Sequence, residues 1–213
     1  EYIRNFIMSK LETNTIDTVS GTSTLQVGST NTSTITLGVS GDTINVPSGV
    51  TINNNGTQTG FGGNMAPAFH AYLGANMEGL SDGATTRINC NTEIFDTNNA
   101  YDNSSNYRFT PQTSAKYFVY GQVMVDSDAT ANLVDMDFEI RKNNSTIGKA
   151  TMNFSNNNIR IATLNTQAVV SMNGSSDYLD IYVYVNTGDS GNYKIIADST
   201  QQRTYFGAYK IIE

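Results

Sequence analysis

Apolar and polar positions alternate with a period of two along much of the C-terminal two thirds of the chain. In residues 134–141, Val134, Met136, Phe138 and Ile140 alternate with Asp135, Asp137, Glu139 and Arg141. That pattern predicts a strand with one face on a core and the other in water. Four other segments break the rule: residues 68–73 (AFHAYL), 116–125 (KYFVYGQVMV), 178–185 (YLDIYVYV) and 204–212 (TYFGAYKII) are apolar or aromatic on both faces. In residues 178–185, Leu179, Ile181, Val183 and Val185 make an aliphatic face, and Tyr178, Tyr182 and Tyr184 dominate the other. Four such strands in one sheet would pack the inner face on the second sheet of a sandwich and the outer face on something else. Tyrosine suits that outer role, because it offers a large apolar area and a hydroxyl that keeps a partner at a wet interface. The simplest occupant is a second and third copy of the chain. The expected trimer interface is therefore Tyr117 and Tyr120, then Tyr178, Tyr182 and Tyr184, then Tyr205 and Tyr209.

The N-terminal third has a different pattern. Pairs of aliphatic residues recur at i and i+2, namely Leu25 and Val27, Ile35 and Leu37, Ile44 and Val46, Val50 and Ile52, each followed by a turn residue. They read as very short strands that point one narrow apolar edge the same way. Two aliphatics per repeat cannot offset the entropy of ordering about ten residues. The edges must close against one another, either as stacked coils of a solenoid or as three chains wrapped into a fibre shaft. With so few repeats the wrapped shaft is favoured, and the regular pairs speak against a Thr/Ser linker. The Gly cluster in residues 60–67 reads as a hinge. The expected organisation is an attachment segment over 1–20, a repetitive β shaft over 21–63 and a β-sandwich head over 64–213. Within the first of these, Tyr2, Ile3, Phe6 and Ile7 supply an apolar patch on a short segment. Docking that patch on a partner protein would anchor a fibre.

Composition supports an all-β chain. Of 213 residues, 15% are charged, Trp is absent and Pro numbers three; the polar bulk of Asn, Thr, Ser and Gly disfavours long helices. A net charge of -7 leaves no basic stripe for phosphates, so nucleic acid is not an expected partner. The single cysteine, Cys90, excludes an intrachain disulfide and a multi-cysteine metal cluster, and reads as a small buried side chain. No run reaches the roughly 20 apolar residues of a membrane helix, and the N-terminus lacks a signal-peptide pattern; neither membrane insertion nor export by the general secretory route is expected. Catalysis finds little support. The only histidine, His70, lies in a predicted strand, and no Ser or Cys has another histidine to work with. Asp126 with Asp128, or Asp135 with Asp137, could pair for glycan hydrolysis or bind calcium, but solvent-facing acids are the simpler reading.

The segments 67–73 (PAFHAYL), 90–123 (CNTEIFDTNNAYDNSSNYRFTPQTSAKYFVYGQV) and 204–212 together resemble the complement C1q-like head, a trimeric jelly roll of the tumour necrosis factor type. The matching positions are Asp96, Tyr101, Phe109, Ala115, Tyr117 and Val119. Cys90 stands where an aromatic residue is usual, Ala115 replaces a Gly and Val119 a Phe. Residues 8–28 (MSKLETNTIDTVSGTSTLQVG) are similar to the N-terminal regions of fibre and decoration proteins of tailed bacteriophages. The two resemblances imply a structural virion protein at the particle surface: a homotrimeric fibre anchored by its N-terminus, its head turned outward toward a host surface glycan or protein. A free-standing trimeric adhesion or lectin-like module is the alternative. No cofactor is implied, except that related heads sometimes hold calcium near the apex, which stays open here.

Overall fold

All the regular elements among the described residues are β-strands, as the β-branched and aromatic runs dictate. The structure is a computed structural model, and it describes residues 27–28, 30–31, 33–53, 55, 65–128 and 132–211. In chain order the strands are β1 (Ala68–Tyr72), β2 (Met77–Leu80), β3 (Thr85–Arg87), β4 (Thr92–Asp96), β5 (Ser114–Asp126) and β6 (Leu133–Lys142). They continue with β7 (Ser145–Asn153), β8 (Ile161–Asn173), β9 (Leu179–Thr187), β10 (Tyr193–Ile195) and β11 (Tyr205–Lys210). The chain divides into two compact units, Glu1–Thr57 and Gln58–Glu213, and all eleven strands belong to the second.

The second unit is a jelly-roll β-sandwich. One sheet runs β2-β10-β5-β11-β1-β4, with β8 also paired to β5; the other runs β3-β9-β6-β7. The antiparallel pairs are nested along the chain: β1 with β11, β3 with β9, β5 with β8, β6 with β7. Such nesting is what results when one long antiparallel hairpin rolls up and deals its strand pairs alternately to two sheets. The innermost pair turns on Asn143 and Asn144, whose φ angles of 50° and 68° are the left-handed values that a two-residue hairpin loop requires and that Asn tolerates.

The core lies between the inner faces. Phe69 is at its centre, with ring centroids 4.4 Å from Tyr101, 4.7 Å from Phe109 and 5.0 Å from Phe206. From the facing sheet come Met136, Phe138 and Ile140 on β6, and Leu179, Ile181, Val183 and Val185 on β9, all without exposed surface. Val134 departs from the expected alternation. A register shift between Leu133 and Asp135 turns Leu133 into the core in its place, and Val134 is only partly buried.

The Asn-rich stretch between β4 and β5 is built on two carboxylates. Asp96 accepts the backbone N–H groups of Ala100 and Tyr101, at 3.0 and 2.9 Å. Asp102 accepts those of Ser104, Ser105 and Asn106, each at 3.0 Å. These hydrogen bonds, from Ser105 foremost, hold the Asp102 carboxyl well below the usual carboxylate range. A carboxyl depressed by folding adds stability that is complete above its unfolded value and is lost as pH falls toward its folded one. The substitution Asp102→Asn is expected to lower the stability of the head by about 1 kcal/mol at neutral pH, given solvent screening of the site. Thermal melts as a function of pH check this, and the gap between the two proteins must narrow as pH drops below about 4.

Two expectations about strands need correction. The four doubly apolar strands do not share one sheet. β1, β5 and β11 lie together, but β9 is central in the other sheet, so Tyr182 and Tyr184 face away from the other predicted interface tyrosines. In the first unit, no described residue between 27 and 53 is in a strand. Val27, Ile35, Leu37, Ile44, Val46, Val50 and Ile52 are all exposed in the single chain. A strand needs a neighbour to accept its backbone hydrogen bonds, and a lone chain of this pattern does not provide one. Leu25, the hinge glycines and the attachment residues Tyr2, Ile3, Phe6 and Ile7 lie outside the described residues.

Candidate functional site

The outward face of the first sheet is aromatic where a solvated sheet would be polar. Its rows follow from the strand register. Phe95 on β4 lies opposite His70 on β1, His70 opposite Gly207 on β11, and Gly207 opposite Tyr120 on β5. One row along, Tyr209 is opposite Phe118, and Phe118 opposite Val169 on β8. On the other side, Tyr72 is opposite Tyr205, and Tyr205 opposite Gln122. The rings touch across the rows. His70 is 5.4 Å from Tyr205 and 5.8 Å from Tyr120, and Phe118 is 5.4 Å from Tyr209 and 6.0 Å from Tyr120, centroid to centroid.

Gly207 makes that arrangement possible. A Cβ on it would lie 2.5 Å from both Cζ and Oη of Tyr120, so only glycine lets the Tyr120 ring lie flat across the neighbouring strand. The ring then reaches His70. Its hydroxyl is 3.0 Å from His70 Nδ1, and His70 Nε2 is 2.9 Å from Gln202 Oε1. The sole histidine is thereby held at both nitrogens and in turn fixes Tyr120. Burial, with Tyr205 and Tyr209 adding to it, pushes the Tyr120 phenol up, so it stays a neutral hydrogen-bonding group. The cluster has no second basic or nucleophilic group arranged for chemistry; what it presents is a stiff, amphipathic contact surface.

Of the predicted interface residues, Tyr120, Tyr205 and Tyr209 are brought together on this face. Tyr117 is not. It has no exposed surface, its ring packs edge-on against Phe109 at 5.6 Å, and its hydroxyl donates to the Thr113 carbonyl at 2.9 Å. Positions 117 and 120 differ by an odd number and so must point to opposite faces of one strand. That same parity would have found Phe118, which the sequence reading missed along with His70, Tyr72 and Phe95. Tyr178, Tyr182 and Tyr184 lie on the outer side of the second sheet, where Arg108 stacks over Tyr178 at 3.9 Å and Arg141 over Tyr182 at 4.2 Å.

The carboxylates considered for catalysis or calcium are engaged with partners of the chain. Asp126 accepts Arg160 at 3.0 and 3.2 Å, Asp128 pairs with Lys194 at 2.9 Å, Asp135 accepts Asn186 and Asp137 pairs with Lys149. Among the described residues there is no group of three or more metal-ligating side chains. Cys90 is buried, its carbonyl accepts the Tyr101 hydroxyl at 2.8 Å, and burial pushes its thiol up.

No protein-family model matches this sequence, and no curated protein matches it. Among solved structures the chain is similar to murine APRIL at pH 5.0, with 10% identity and a TM-score of 0.48 over 68% of this chain and 98% of the other. It is also similar to the globular domain of zebrafish complement 1qA protein, with 12% identity and a TM-score of 0.42 over 69% of this chain and 98% of the other.

Proposed function

We propose that the protein is a self-assembling binding module, a homotrimer whose head associates through the aromatic outer face of its first sheet. The observation that carries this reading is that face itself. Phe118, Tyr120, Tyr205, Tyr209, Tyr72 and Phe95 form one patch in a chain with few charges, and Phe95 and Val169 are 45% and 60% exposed. A soluble monomer rarely leaves such a patch to water. An apolar side chain is also exposed off this face, Met152 on β7, while Ile161 shares the outer face of β8 with Val169. A face on one copy meeting a different region of the next makes a head-to-tail contact, which gives a closed ring such as a trimer when the rotation between copies closes. The exposed aliphatic pairs of residues 27–53 call for the same solution, three edges wrapped about one axis.

The finer reading places this trimer on a tailed-bacteriophage particle as a head or tail fibre, with residues 1–20 docked on a capsid or tail protein and the head outward. It rests on the resemblance of the two units to fibre proteins and to C1q-like heads. Sedimentation equilibrium of the whole chain tests the assembly, with three times the chain mass expected at micromolar concentration; a monomer would refute it. Genes for capsid, portal or tail proteins beside this one are expected from the virion reading. Their absence would leave the free-standing adhesion module.

A further inference from the structure

The centre of the aromatic face is a titratable group. His70 is the only histidine of the chain, and it lies partly exposed between Phe95 on β4 and Gly207 on β11. Both of its nitrogens are engaged. The Gln202 amide oxygen can only accept, so in the neutral ring Nε2 carries the hydrogen and Nδ1 accepts from the Tyr120 hydroxyl. Gln202 holds its place at a φ of 47°, in the left-handed region that glycine enters without strain and glutamine does not. Strain of this kind concentrates at functional positions.

No carboxylate is set against the ring. On β4, Glu93 and Asp96 stand in register with Ala71 and Phe69, the two neighbours of His70 that point into the core. In the segment before β11, Asp198 pairs with Arg203 at 3.2 Å. The charged residues of β5, Lys116 and Asp126, lie near its two ends, and Asp126 is held by Arg160. Lys210 of β11 is in register with the inward Tyr117, and β1 itself carries no charged side chain apart from the histidine.

From this geometry we infer that His70 couples assembly to pH: the covered aromatic face accepts three neutral imidazoles and rejects three imidazolium ions. The inference rests on the trimer reading and names the regulation of that same interface. In the single chain an imidazolium is hydrated from the open side. Once another copy covers the face that water is lost, and the charge has no partner. Protonation also puts a hydrogen on Nδ1, so the Tyr120 hydroxyl must turn its own hydrogen away, and it has no other hydrogen-bond partner among the described residues. The ring contacts of His70 with Tyr120 and Tyr205 are made within one copy, so they favour the charged ring equally before and after assembly. A covered histidine without a counter-charge binds its proton less readily than a free one. Assembly is therefore complete above the range in which histidine titrates and weakens as pH falls through it. With one proton shed per copy, the association constant changes by up to about a thousandfold per pH unit on the acid side.

Sedimentation equilibrium of the whole chain over a concentration series at about pH 8 and about pH 5.5 tests the coupling, with circular dichroism at both to follow the fold. The parent is expected to be trimeric at micromolar concentration at the higher pH and to dissociate at least about a hundredfold more readily at the lower, still folded. His70→Gln, whatever its own affinity, should lose that ratio to within about threefold. Gln202→Glu gives the imidazolium a counter-charge and should move the pH of half-dissociation downward by about one unit, a readout that stays decisive if His70→Gln does not assemble. A parent trimer equally tight at both pH values, or lost only together with the fold, would overturn the coupling and leave the trimer standing. The parental ratio in His70→Gln, or a midpoint that stays put in Gln202→Glu, would also overturn it. A parent that is monomeric at both pH values would refute the trimer, and the coupling with it.

Discussion

Tyr120→Asp is expected to turn the assembled protein into folded monomers. In the single chain Tyr120 is partly exposed, so the substitution gives up a ring over Gly207 and one hydrogen bond to His70, which the fold tolerates. In the assembly the same carboxylate would be buried without a counter-charge in every copy, at a cost of several kcal/mol each. Phe118→Asp, one row away on the same face, should act alike. Tyr184→Ser, on the outer side of the other sheet, should leave the mass unchanged. Sedimentation at micromolar concentration gives the answer. A trimer that survives both carboxylates, or is lost with Tyr184→Ser, would mean that the wrong sheet has been assigned to the interface.

Phe69→Ala is expected to destabilise the head by about 3–5 kcal/mol, because it removes a fully buried ring that contacts three others. Tyr101 and Phe109 are bridged to each other in the β4–β5 connection and Phe206 is fixed in β11, so they cannot easily collapse into the space. For a domain of this size such a loss lowers Tm by about 10 °C or more. Thermal melts followed by circular dichroism measure it, and a fall of less than about 3 °C would show that the aromatic cluster is not the centre of the core. The consequence extends to function, since β1 carries Phe69 inward and His70 outward. The same strand holds the core and positions the partner of Tyr120.

Much of the fold was legible because strand periodicity is local. Met136, Phe138 and Ile140 follow from alternation alone, and so does the aliphatic face of Leu179, Ile181, Val183 and Val185. Recognising that residues 68–73, 116–125 and 204–212 are apolar on both sides was enough to require a covering for the outer face. The errors were of two kinds. Grouping Tyr117 with Tyr120 ignored a parity that the sequence does contain. Grouping Tyr182 and Tyr184 with Tyr205 and Tyr209 required knowing which sheet each strand joins, and pairing is settled by contacts between residues far apart in the chain.

The sequence by itself determined that this is an all-β chain, where β1, β5, β6, β9 and β11 lie, which strands are doubly apolar and that its N-terminal third has aliphatic pairs too sparse to make a core. These are properties of side-chain type and spacing, which the period of a strand converts directly into faces. Only the tertiary structure decided that β9 leaves the other doubly apolar strands for the second sheet. It also brought His70 within reach of Tyr120, fifty positions away, and of Gln202, 132 positions away, and set Gly207 between His70 and Tyr120 so that the ring could cross. Those outcomes depend on the nested pairing of a rolled hairpin, in which the first strand of the head meets the last. No window of neighbouring residues holds that information, because the hydrogen bonds that fix it form between the two ends of the domain.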